Sequence, residues 1–394
     1  MVNRVSISLL TCWLVLNSCT YCVSQEKSAV STLSNVAFAM KRFVEAGEVA
    51  GAVTLVANEQ SILHLDAVGA ADTATGAKIR TDSLFWIASM SKPVTGACVM
   101  MLVDQGKLSL DDPITKYLPE MKELRLADGK TAEITVKHLL THTSGMAELK
   151  QDDAYTSKTL AEAAQRYSQV QVLFAPGSQW KYSQTSINTA ARIVEVLSGM
   201  TFDKYVQTKL CEPLNMNDTS FYLTDSQHKR LAKSYRKEDG GKLVETDIRL
   251  LAGKSPTYRE RMPAANGGLF STAGDYARFC QMLLRDGELN GTRVMSPEAV
   301  KTLRSIHTGE LVPGFTPGHG WGIGCCVVRE PQGPTESLSP GSFGHGGAYG
   351  TQAWIDPIKK RIYVLMVQRA NFSNSDASDV RRVFQREANQ TLAN

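Results

Sequence analysis

The chain has no block of about five or six like charges, the pattern that marks an acidic tail or a nucleic-acid-binding arm. Its 43 Lys+Arg against 39 Asp+Glu leave a formal charge of only +4, so nothing in the composition calls for a polyanionic partner. No apolar run approaches the ~20 residues that a membrane-spanning helix needs. Cysteine is scarce and unevenly placed. Cys12, Cys19 and Cys22 fall in the first two dozen residues, which leaves Cys98, Cys211, Cys280, Cys325 and Cys326 of the total of eight. That odd, scattered set is no disulfide framework. Cys325 and Cys326 are adjacent in a strand-like run, which predicts side chains on opposite faces, and all five are expected as small buried hydrophobes. His138 and His142 have the i, i+4 spacing of a zinc pair, but Leu139 follows His138 where a metalloprotease needs Glu, so no metal site is expected.

What is present is ordinary globular composition, 43% hydrophobic and 21% charged, over 394 residues. At about 150 residues per domain, that length is ample for a large core. Residues 1–24 are expected to be a signal peptide. Arg4 supplies its positive end and Ile7 to Leu16 a short apolar stretch, with Cys22-Val23-Ser24 as a cleavage site. Leu16-Asn17-Ser18-Cys19 also resembles a bacterial lipoprotein box, although Asn17 departs from it. The expectation is export to the periplasm or medium, with Cys19 as a possible point of lipid anchoring.

Apolar residues Leu33, Val36, Met40 and Val44 recur at helical spacing between Ser31 and Glu45. Ala52 to Val56 and Ser61 to Val68 form two β-rich runs around Asn58-Glu59-Gln60, an antiparallel pair. The middle is mostly helical, with Ser89 to Val103 and Ser186 to Leu197 the clearest helices. Strands return at Trp321 to Val328, Gly350 to Ile355 and Arg361 to Val367, and Asp376 to Leu392 closes as a helix. The predicted fold is α/β (α+β), within a single unit over 30–394. An antiparallel sheet from both chain ends (about 30–80 and 320–394) is flanked by helices, and a mostly helical part (about 81–319) is inserted between.

A serine with a lysine three positions on can share one helix face, where an unprotonated amine takes the hydroxyl proton. Beyond Ser24/Lys27 at the edge of the leader, the pattern occurs at Ser89/Lys92, Ser178/Lys181, Ser226/Lys229 and Ser234/Lys237. Only Ser89-Met90-Ser91-Lys92 opens a strongly apolar helix, and Pro93 is tolerated in its first turn. That position sets the helix N-terminus against the negative charge that develops during acyl transfer.

Two later clusters complete a set: Pro176-Gly177-Ser178-Gln179-Trp180-Lys181-Tyr182-Ser183-Gln184 before a helix, and Phe343-Gly344-His345-Gly346-Gly347-Ala348-Tyr349-Gly350-Thr351 before a strand. In this order the chain resembles the serine β-lactamase and penicillin-binding-protein superfamily, in particular its class C-like branch with D,D-peptidases and family VIII carboxylesterases. Similar stretches at Leu139 to Gly145, Pro213 to Met216 and Gly267 to Asp275 extend the resemblance from about Val36 to the C-terminal helix.

The resemblance implies a β-lactamase/transpeptidase-like fold and a cofactor-free serine hydrolase. Ser89 would be the nucleophile, Lys92 its first proton partner and Tyr182 the second, with either of the latter two as base. The backbone N–H groups of Ser89 and Ala348 would form the oxyanion hole, and Gln184, His345, Gly346 and Gly347 would contact substrate.

Two departures bear on that substrate. His345 stands where lactamases and peptidases carry Lys, followed by Gly346 in place of Thr or Ser, so the groups that grip a substrate carboxylate are missing. Gln184 replaces the usual Asn. The expected activity is therefore carboxylesterase on small, short-acyl esters. β-Lactamase, D-alanyl-D-alanine carboxypeptidase or D-aminopeptidase activity is the alternative within the same chemistry, and a penicillin- or peptidoglycan-binding protein that is acylated without turnover is the alternative outside it. An α/β-hydrolase would need G-x-S-x-G, which the chain lacks.

Overall fold

In a computed structural model, the described residues are Met1, 33–150, 153 and 155–393. The predicted signal peptide, with Cys12, Cys19 and Cys22, lies outside them. Helix α1 (Ser34–Glu45) leads into strands β1 (Gly51–Ala57), β2 (Ile62–Asp72) and β3 (Ala77–Lys78). After the inserted region, the chain returns through β4 (His319–Trp321), β5 (Cys326–Val328), β6 (Phe343–Gly346), β7 (Gln352–Asp356) and β8 (Arg361–Met366), then ends in a helix over Asp379–Ala393. The eight strands form one antiparallel sheet in the order β4-β5-β6-β7-β8-β1-β2-β3. The two chain ends meet where Val53 to Ala57 pair with Ile362 to Met366. The antiparallel sheet built from both ends, with a mostly helical insert, is thus as the sequence predicts.

Alternation along β1 explains why every one of its residues is buried. Ala52 and Val56 face α1 and the C-terminal helix, together with Trp354, Tyr363, Leu365 and Phe384. Val53, Leu55 and Ala57 face the insert, with Ala353, Ile355, Val364 and Met366. A strand covered on both faces reads as a continuous apolar run.

The sequence predicts one strand over Trp321 to Val328, but the structure has a hairpin. Gly322 and Gly324 break the run, the Gly322 N–H donates to Cys325 O at 2.8 Å, and β4 pairs back on β5 with Trp321 opposite Cys326. Cys325 therefore sits in the turn, packed in the insert-side core, and Cys326 in the other core. All five cysteines of the described region are free and buried, as small hydrophobes.

This turn is wedged against helix α2 (Ser91–Asp104), which is buried on nearly all sides. A Cβ on Gly96 of α2 would lie 2.3 Å from Ile323 O, so helix and turn can approach this closely only at a glycine. Gly96→Ala is therefore expected to destabilise the fold by about 1–3 kcal/mol, measured by urea unfolding, because the turn must move away from the helix. An unchanged midpoint would mean that the turn is not packed on α2 in this way.

Candidate active site

Ser89 sits at a sharp corner. Phe85 and Trp86 pair with Ser271 and Phe270, and a single 3-10 turn, Ala88–Met90, then leads into α2. Ser89 thus precedes the α-helix proper by two residues instead of opening it. Ala88, immediately before it, has φ +46°, a left-handed conformation that costs a non-glycine residue about 1–3 kcal/mol and is characteristic of sites where geometry is imposed.

Lys92 lies one turn further on and is wholly buried. Its Nζ is 3.0 Å from Ser89 Oγ, 2.9 Å from Gln184 Oε1 and 2.7 Å from the backbone oxygen of Asn266. Asn266 also donates from Nδ2 to Gln184 Oε1 at 2.8 Å. Burial pushes the Lys92 amine well below its ordinary value; Glu148 opposes the shift and the positive charge of Arg249 adds to it.

Tyr182 brings its ring face to within 4.5 Å of Lys92 Nζ. Burial pushes its phenol well above the ordinary value, against a hydrogen bond with Ser89 that works the other way. The residue is set just before helix α3 (Gln184–Ser198), whose start is fixed three times over. Ser183 Oγ accepts from the Ser186 N–H, the Glu148 carboxylate accepts from the Gln184 N–H at 2.7 Å, and His142 Nδ1 accepts from the Ser183 N–H at 3.1 Å. The His142 ring also packs on Tyr182, 4.4 Å between centroids.

His345 is 3% exposed on β6, and its Nε2 lies 3.3 Å from Tyr182 Oη. Burial, with Lys92 beside it, pushes its pKa down to about 3, so the ring is neutral. Trp180, Phe315 and Trp321 close an aromatic wall around Tyr182.

After β6 the chain turns back sharply. Gly347 N–H donates to Thr351 O, and both residues abut Ile87: a Cβ on Gly347 would be 2.6 Å from Ile87 O, and Thr351 Oγ1 donates to that same oxygen at 3.3 Å. The turn carrying Ala348 is thereby held beside the corner carrying Ser89. A Cβ on Gly346 would lie 2.0 Å from Asp376 Oδ1 and 2.3 Å from Gln352 Nε2, so a larger residue there would have to displace those side chains.

The structure thus brings Ser89, Lys92, Tyr182, Gln184, His345 and the Gly346–Ala348 turn together. The other serine–lysine pairs stand apart from this arrangement. Ser178 Oγ donates to Ala175 O in a turn, Ser226 is in the four-residue surface helix Asp225–His228, and Ser234 and Lys237 lie on a strand, where i and i+3 face opposite sides. The helix over His138 ends at Leu140, and His142 has φ +61°, so the two histidines do not share a helix face. Among the described residues no cluster of three or more His, Cys, Asp or Glu could hold a metal.

Asn266, Glu148, His142 and Arg249 are site residues that sequence reasoning did not assign. Asn266 adjoins Gly267-Gly268, part of a stretch that resembles the superfamily, which was the only signal available.

Comparison with known proteins gives the family. The β-lactamase family pattern matches residues 36–388. A Mycobacterium tuberculosis protein, Rv1367c, is 31% identical over 372 residues, covering 86% of this chain and 90% of its own. Esterase EstB of Burkholderia gladioli is 29% identical over 338 residues, 78% of this chain and 82% of its own. The structure of EstCE1, titled a hydrolase with promiscuous acyltransferase activity, superimposes with a TM-score of 0.77 at 23% identity, over 90% of this chain and 97% of that one. With nearly the whole described chain matched, the protein belongs to the β-lactamase family, in the β-lactamase/transpeptidase-like superfamily of serine hydrolases and acyl-transfer enzymes.

Proposed function

We propose that this enzyme is a carboxylesterase for small, short-acyl esters, working through a Ser89 acyl-enzyme with Lys92 as the base. An unprotonated amine has two N–H groups and one lone pair. Gln184 Oε1 and Asn266 O, both acceptors, take the two hydrogens, which leaves the lone pair for the Ser89 hydroxyl proton. The buried phenol of Tyr182, with its raised pKa, favours its protonated form and so is not the resting base.

In this scheme the substrate carbonyl oxygen lies against the N–H groups of Ser89 and Ala348, each such donor contributing about 2.7–4 kcal/mol. Lys92 takes the Ser89 proton as Oγ bonds to the carbonyl carbon. The proton returns to the departing alkoxide, with Tyr182 beside the path. Water then attacks the acyl-enzyme, its proton passing back through Lys92 to Ser89 as the acid leaves. Gln184 holds Lys92 and borders the acyl position, and Gly347 lets the turn after β6 close on Ile87.

The observation that favours esters is the neutral, enclosed His345. No ammonium occupies this position, and Gly346 beside it carries no hydroxyl. A substrate carboxylate gains nothing here, whereas an uncharged ester loses nothing. The esterase name of the Burkholderia relative agrees with this choice.

Purified protein is expected to favour p-nitrophenyl butyrate over a chromogenic cephalosporin by about 10²-fold in kcat/KM, the value of one or two lost charge-assisted hydrogen bonds. Ser89→Ala should abolish ester turnover and the acyl adduct seen by intact mass, while Ser178→Ala, Ser226→Ala and Ser234→Ala retain both. Full activity in Ser89→Ala would end the proposal, and faster cephalosporin turnover would reverse its substrate preference.

Lys92→Met should lower kcat by about 10²–10⁴ and change the pH dependence of stability. An unfolded lysine titrates near ~10.4, whereas the folded amine is depressed by burial, so between those two values the unfolded chain holds one more proton. Wild-type stability therefore rises with pH through this window. Its difference from Lys92→Met is expected to move in favour of the wild type from pH 7 to pH 10, and a pH-independent difference would mean that Lys92 is charged in the folded protein.

We further propose that the chain is exported by the 1–24 leader, periplasmic or secreted. A mature N-terminus after Ser24, read by mass spectrometry of the native protein, is the expected result; an intact Met1, or a lipidated Cys19, would replace it.

A further inference from the structure

We infer that His345 is a positioning residue for Tyr182: its bare Nε2 accepts the Tyr182 hydroxyl proton in a hydrogen bond, fixing the phenol's direction beside Lys92, and its ring does not touch substrate. This rests on the acyl-enzyme reading of Ser89, Lys92 and Tyr182 and adds to it a role for the residue that replaces the lysine.

The tautomer follows from the partners. His345 Nδ1 lies 2.6 Å from the backbone oxygen of Gly346, and a carbonyl oxygen only accepts, so Nδ1 carries the hydrogen. A neutral imidazole has one N–H, and burial keeps this ring neutral. Nε2 is therefore an acceptor, and the group it faces at 3.3 Å is the Tyr182 hydroxyl, which must be the donor.

A phenol has one hydrogen. With that hydrogen committed to His345, the oxygen turns its lone pairs to the side where Ser89 stands, and the ring keeps its face on Lys92 Nζ at 4.5 Å, where a developing ammonium is favoured by the π system. The same bond orients the one residue that borders both Ser89 and the aromatic wall.

Direct contact between His345 and substrate does not fit the geometry. The ring is 3% exposed, Trp321 stands edge-on against it at 5.5 Å and 84°, and Tyr182 covers its Nε2 side. Its strand neighbour Gly346 packs against the Asp376 carboxylate and the Gln352 amide.

The test compares His345→Leu, which removes the acceptor, with His345→Gln, whose amide oxygen can reach toward the same place, on p-nitrophenyl butyrate. His345→Leu is expected to lower kcat by about 10–100-fold with KM within about twofold, and His345→Gln to recover most of that loss. In a Tyr182→Phe background, His345→Leu should have little further effect, since the hydroxyl it orients is gone. A rise in KM alone, an unchanged kcat, or losses that simply multiply in the double variant would overturn the inference.

Should His345→Leu fail to fold, the 15N spectrum of the wild-type imidazole rings, assigned by the resonance lost in His345→Gln, gives the tautomer directly; an Nε2–H form would overturn the inference as well. Failure of the underlying reading is recognised separately: Ser89→Ala then keeps its activity, whereas an acylated Ser89 with His345 variants that behave as wild type removes only the role of His345.

Discussion

The amine of Lys92 buried without a counter-charge in contact is the constraint that the surrounding structure satisfies. An ammonium in that place would lack hydration, and a neutral amine needs acceptors for two hydrogens and a donor for its lone pair. Two of those three partners come from distant parts of the chain. Ser89 is on the same turn, Gln184 is 92 positions away at the start of α3, and Asn266 is 174 positions away on a loop of small residues. Each segment is anchored elsewhere: α3 by Glu148 and His142, and the Asn266 loop by Thr95 Oγ1 donating to Ala265 O and by Asn188 accepting from the Asn266 N–H. The insert thus folds around one polar group, and the sheet contributes the turn held on Ile87.

This distribution explains what could be read from sequence. Ser89 and Lys92 were legible because their spacing is local and the helix they introduce is apolar. Tyr182 and the Gly344–Ala348 run were legible through resemblance, because each occupies a short, ordered cluster. The sheet from both chain ends was legible because β1, β7 and β8 are largely buried and so are rich in apolar residues. Asn266 was not, since it acts through a backbone oxygen and a side-chain amide on a loop with no periodicity. Trp321 to Val328 misled for a physical reason: its β-rich composition is that of a strand, while Gly322 and Gly324 fold it into a hairpin whose turn must fit against Gly96. The His138/His142 spacing, set aside in the sequence as a zinc pair, has a separate structural explanation. Counting four residues from His138 presumes a continuing helix, but the chain enters a left-handed conformation at His142 and uses the imidazole to hold the Ser183 N–H.

The replacement of lysine by His345 also alters how Lys92 is kept neutral. A fixed ammonium at position 345 would stand next to the amine and discourage its protonation by repulsion. With a neutral ring there, that contribution is gone, and the charges that act on Lys92 pull both ways: Glu148 and Asp376 favour the ammonium and Arg249 disfavours it. Desolvation therefore carries the shift. Tyr182 covers Lys92 Nζ at 4.5 Å from its ring centroid, and the rings of His142, Phe315, Trp321 and Trp180 pack around Tyr182 at centroid distances of 4.4–6.2 Å. On the proposed mechanism the aromatic wall would both border the acyl site and help to keep Lys92 unprotonated. Polar substitutions in the wall would then act on proton transfer even where they never meet the substrate.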